Sequence, residues 1–149
     1  MTRTGSFLTT VGLVASILFL SGCSKPPMVS ENNRSLTPCG SLPNCVNSQT
    51  GRGLQSSKPV KANPLQWAEL KTWISQQKDW QIIDEDESFI HAVVSTPLFK
   101  FKDDIQLLYL AELDLIHVRS SSRLGLSDLG ANANRVEKLR TIVNSENDQ

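Results

Sequence analysis

Between Trp80 and Ser122 the chain carries four apolar, β-branched-rich runs with only a few residues between neighbours: "WQIIDED", "SFIHAVVST", "LFKFKDDIQLLYLA" and "LIHVRSSS". Runs of that length and composition are strands. Connections this short cannot carry a crossover, so successive strands must pair antiparallel. In the third run, Phe99 and Phe101 alternate with Lys100 and Lys102. Farther on, Ile105, Leu107, Tyr109 and Ala111 share one face, and Leu108 and Leu110 the other. Pro97 breaks the chain at an edge, and a hairpin turn is expected around Glu112 to Asp114.

Amphipathic helices flank this core. Asn63 suits an N-cap and Pro64 the first helical position, where its missing N–H costs nothing. Trp67, Leu70, Trp73 and Ile74 then form one apolar stripe. A second helix from about Asn132 to Asn144 buries Val136, Leu139, Ile142 and Val143, with Asn132 as its expected cap. The pattern predicts an α+β, two-layer domain over residues 63–144, ordered helix, about four antiparallel strands, helix, with an N-terminal extended arm. Residues 145–149 read as a frayed tail.

Ahead of the domain, residues 23–62 are rich in Ser, Asn, Pro, Gly and Lys and read as a tether and arm. One island, "CGSLPNCVNSQ", holds Cys39 and Cys45 around a Pro43-Asn44 turn. Leu42 and Val46 are expected to pin it to the domain. A closely spaced even pair in an exported chain reads as a disulfide. The C-x5-C spacing lacks the C-x-x-C pattern of thiol oxidoreductases, and no further Cys or His is near enough to complete a zinc site.

Residues 1–22 read as a leader: Arg3, then an apolar run from Val11 to Leu20, too short to span a bilayer. "LSGC" at its end resembles the lipobox of bacterial lipoproteins. That resemblance implies cleavage before Cys23, acylation of Cys23, and a membrane partner through the lipid. Two or three acyl chains hold a protein firmly, at about 0.8 kcal/mol per buried CH₂. In that class an Asp after the Cys often marks inner-membrane retention; with Ser24 there instead, the resemblance implies the outer membrane, facing the periplasm, in a host that has one. With 15 basic and 15 acidic residues, no global field attracts a polyanion, and nucleic acid is not an expected partner.

The segment "HVRSSSRLGLSDLGANANRVEKLR", together with "CGSLPNCVNSQ" and "FKFKDDI", resembles the bacterial domain of unknown function family numbered 1499. That family carries a Pro-Asn-Cys-Val run, an Asp-Asp strand start and a long Arg-Ser-x-Ser-Arg block. Here these fall on Pro43 to Val46, Asp103-Asp104, and Arg119 to Val136. The strand "IQLLYLA" is nearly all apolar where the family often has a basic residue. The resemblance implies no established activity, cofactor or metal.

Two readings of this block stay open. In one, Arg119, Arg123 and Arg135 supply forked donors to an anion pocket at the helix start, with Ser121, Ser127, Asp128 and Asn132 around it. In the other, the same residues form an Arg–Asp network bracing the strand-to-helix corner, with Arg123 or Arg135 paired to Asp128 or to Asp103-Asp104. Expected partners are an envelope protein or an anionic envelope component, bound without catalysis. The alternative is an enzyme acting on an envelope lipid or glycan through this Arg/Ser/Asp corner, with Ser127 and Asp128 as the residues whose loss would end turnover. His91 and His117 read as half-buried strand residues; with Asp104 they are a weak metal set.

Overall fold

The computed structural model describes residues 34–96 and 99–145. The leader, Cys23, Pro97 and most of the expected frayed tail lie outside the described residues.

Six strands form one antiparallel sheet. They are β1 (Cys45–Asn47), β2 (Val60–Lys61), β3 (Trp80–Glu85), β4 (Phe89–Ser95), β5 (Lys102–Leu110) and β6 (Leu115–Ser122). The order is β1-β6-β5-β4-β3, and β2 pairs with the other half of the free side of β6. Helices α1 (Pro64–Gln76) and α2 (Ala131–Ser145) complete the α+β fold. The four long strands are those expected. The two short ones come from the arm, where hydrophobic periodicity gives no signal. They are held by backbone pairing to β6, and strands of two or three residues are too short to show an alternation.

α1 starts where Asn63 and Pro64 dictate. Asn63 accepts the backbone N–H of Gln66, and the Gln66 side chain accepts the N–H of Asn63, closing a capping box. Gln66 Nε2 also donates to the carbonyl of Val143, tying α1 to α2. Trp67, Leu70 and Ile74 of α1 meet Val136, Leu139 and Val143 of α2 over the inner face of the sheet. That face presents Ile90, Ala92 and Val94 of β4, Ile105, Leu107 and Tyr109 of β5, and Ile116 and Val118 of β6. Trp67 stacks on Tyr109 at 5.5 Å and donates its indole N–H to the carbonyl of Glu87.

The arm covers the opposite face. Leu36 packs with Phe89, Leu108 and Leu110 in a small second core. Leu36, rather than Leu42, pins the arm; Leu42 is exposed, and Val46 faces the helix-side core. Thr37 is clamped at both backbone groups: its N–H donates to Gln106 Oε1, and its carbonyl accepts from Asn47 Nδ2. Cys39 and Cys45 are disulfide-bonded, joining the arm to β1. Among the described residues, no helix is long and apolar enough to cross a membrane.

Candidate functional site

Alternation along β5 sends the carboxylates of Asp103 and Asp104 to opposite faces of the sheet. Asp103 points to the helices. There Arg135 Nη2 donates to its Oδ2 at 2.6 Å, while Arg135 Nη1 donates to Ser120 Oγ and Asn132 Oδ1, both at 2.7 Å. Ser120 Oγ donates to Asn132 Oδ1 at 2.6 Å, and Asn132 Nδ2 reaches the carbonyl of Asn44 and Ser122 Oγ. This knot joins the residue before β1 to β5, β6 and the start of α2.

Asp104 points to the arm side and is buried. Arg123 grips it with two bonds of 2.8 Å, Nε to Oδ2 and Nη2 to Oδ1. His91 Nε2 lies 2.9 Å from Oδ1. Burial alone would raise the carboxyl pKa; the hydrogen bonds and charge of Arg123 and His91 outweigh it and lower the value to about 2. The same pairing raises the Arg123 pKa.

The remaining arginine has no such partner. Arg119 is 7 % exposed, directly opposite Gln106 on β5 and Asn47 on β1. Burial lowers its pKa, opposed by the charge of Asp104. With His91 on β4 these residues make a buried polar row across four strands, His91, Gln106, Arg119 and Asn47, beneath the arm.

The three arginines therefore do not converge. Arg119 and Arg123 lie on the arm side with Ser121, and Arg135 lies on the helix side, so one pocket holding all three forks is excluded by the pleat. Asp128 pairs with no arginine; it accepts the backbone N–H groups of Asn132 at 2.7 Å and Gly130 at 3.2 Å, and so does the capping expected of Asn132. Asn132 instead sits buried inside the first turn and turns its amide to the sheet. Ser127 Oγ accepts the N–H of Leu129. Neither histidine stands beside Ser127: His91 faces Asp104, and His117 Nδ1 lies 3.2 Å from Ser48 Oγ. Among the described residues, no three His, Cys, Asp or Glu side chains gather to hold a metal ion.

Nothing within the block Arg119 to Arg135 points to Gln106 or Asn47, and His91, expected as a half-buried strand residue, is fully buried against Asp104. The doublet Asp103-Asp104 was the available clue, because adjacent strand residues must serve two faces, and each carboxylate then needs its own cations.

The loop joining β6 to α2 has a second character. Leu124, Leu126 and Leu129 are exposed, Leu129 by 94 %. Beside it, Phe99 and Phe101 are also exposed and stack at 5.5 Å. Phe101, Leu124 and Leu129 line one cavity of about 250 Å³ with Thr96 and Ser127. Leu129 has φ +51°, in the left-handed region, which costs a branched side chain roughly 1–2 kcal/mol.

Residues 35–143 match the model of a family described as "Protein of unknown function (DUF1499)". No curated protein and no solved structure matches the chain.

Proposed function

Because the chain belongs to the DUF1499 family, whose description carries no activity, we propose its function from its own geometry: it is an exported, lipid-anchored envelope module that binds a partner protein without catalysis. The docking surface is the apolar rim of Phe99, Phe101, Leu124, Leu126 and Leu129. One observation carries this reading. A fold of this size holds a large side chain, Leu129, almost wholly in solvent and in a strained backbone conformation. Contiguous exposed apolar side chains mark interaction sites, and strain of this kind persists where function retains it. The leader ending in Ser21 and Gly22, with Cys23 directly after it, supports the anchor, and the Cys39–Cys45 bridge suits an oxidising compartment.

A photo-crosslinking amino acid at Leu126 in intact cells should give a discrete protein adduct, while the same group at Leu54, still more exposed and within the arm, should not. Adding Leu129→Gly should abolish the adduct and leave the fold as stable or more stable, since glycine relieves the left-handed strain. No adduct from Leu126, or the same adducts from both positions, would refute the surface. The anchor has its own test: wild-type protein should take up labelled fatty acid and Cys23→Ser should not.

A further inference from the structure

We propose that the arm-side face contains a binding site for one small anion, a carboxylate or phosphate group, built from Arg119 and Gln106. Arg119 Nε, Arg119 Nη1 and Gln106 Nε2 are buried and have no hydrogen-bond partner among the described residues. All three are donors, and they belong to directly opposed residues of β5 and β6 whose side chains share one face. Buried polar groups in native proteins are nearly always satisfied, and an unpaired buried charge is far costlier than an unpaired amide. Three unpaired donors on adjacent residues of one face call for an acceptor.

Charge supports an anion over a neutral acceptor. The arm-side cluster holds two guanidinium groups, Arg119 and Arg123, against one buried carboxylate, Asp104. Asp103, the other buried acid, faces the helices and pairs with Arg135. Asp104 commits both oxygens to Arg123 and His91, so it acts on Arg119 through its charge but makes no hydrogen bond to it. The amide oxygens on either side of Arg119 are engaged too. Gln106 Oε1 takes the N–H of Thr37, and Asn47 Oδ1 takes those of Gln49 and Thr50. A compact anion bearing two oxygens matches the forked donor. This site is separate from the apolar rim and does not depend on it.

The test uses the full acylated protein in detergent, at constant ionic strength set by a bulky organosulfonate salt. Thermal unfolding is followed against sodium acetate, sodium phosphate and N-acetylglycine. The first two probe free ions, and the third probes a carboxylate carried on a larger body. At least one should raise Tm saturably, with the folded-to-unfolded ratio rising about 100-fold at a hundredfold excess over Kd. Arg119→Met should abolish the rise, whereas Arg135→Lys on the other face should retain it. Gln106→Glu keeps the acceptor for Thr37 and places a carboxylate opposite Arg119. It should raise Tm without added anion and remove the response to anions. An unresponsive wild type, an equal response in Arg119→Met, or a Gln106→Glu variant less stable than wild type would each overturn the site.

Discussion

In an extended strand consecutive side chains leave opposite faces, and β5 turns that geometry into two separate ion pairs from one Asp-Asp doublet. Asp103 serves the helix layer through Arg135, and Asp104 serves the arm layer through Arg123 and His91. The Asp104 pair carries a pH signature. Its carboxyl falls from 3.8 in a free chain to about 2 in the fold. A lowered folded pKa favours the native state above the unfolded value, and that contribution disappears as pH drops through the folded one. The difference corresponds to about 2 kcal/mol, present above pH 4 and lost between about pH 4 and pH 2. Urea unfolding at stepped pH should show that slope, and Asp104→Asn should flatten it. The same variant should lower stability at pH 7 by about 3–5 kcal/mol, because Arg123 would keep its charge in a half-buried site without a counter-ion.

At the level of elements, each helix start is fixed by a different device. α1 uses a capping box written in the four residues Asn63 to Gln66. Asn63→Ala should cost about 1 kcal/mol, measured by chemical denaturation, without changing the helix–sheet packing seen by tryptophan fluorescence. α2 uses Asp128, three positions before its first residue, with Gly130 at φ +86° supplying the left-handed step between them. The cap of α1 was legible because its partners are three residues apart. That of α2 was misassigned to Asn132 because Asn is as good a cap as Asp, and only the course of the loop decides which side chain reaches the free N–H groups. The strands were legible for the opposite reason: β4 and β5 are buried on both faces and read as long apolar runs. The short β1 and β2 borrow their conformation from the edge of β6.

The whole molecule is a sheet with a helix layer on one side and a stapled arm on the other. The staple closes a loop with a sequence separation of 6, and its removal should cost about 2 kcal/mol on the chain-entropy model. The effect should be local in space. After reduction, hydrogen exchange should quicken at Thr37 and in β1, where the arm meets the polar row, and stay slow in β4 and β5. Uniformly faster exchange would mean that arm and domain unfold as one unit. The arm also keeps water from Arg119, His91 and Gln106, so its attachment and the electrostatics beneath it are one problem.

Local pattern alone determined the four long strands, the apolar stripes of both helices, the α+β class, the pairing of two nearby cysteines and the family to which the chain belongs. These rest on periodicity and short spacing, which a linear string records. Tertiary structure decided which face each arginine occupies, which acid it meets, and that Arg119 meets none. Arg119, Arg123 and Arg135 fall within one short block, yet the pleat of β6 and the start of α2 divide them between two layers. Their partners, Asp104 and Asp103, lie 19 and 32 residues from the arginines they bind, and no pattern in one segment records such a separation. The register between β5 and β6 sets it, and that register exists only once the sheet has formed.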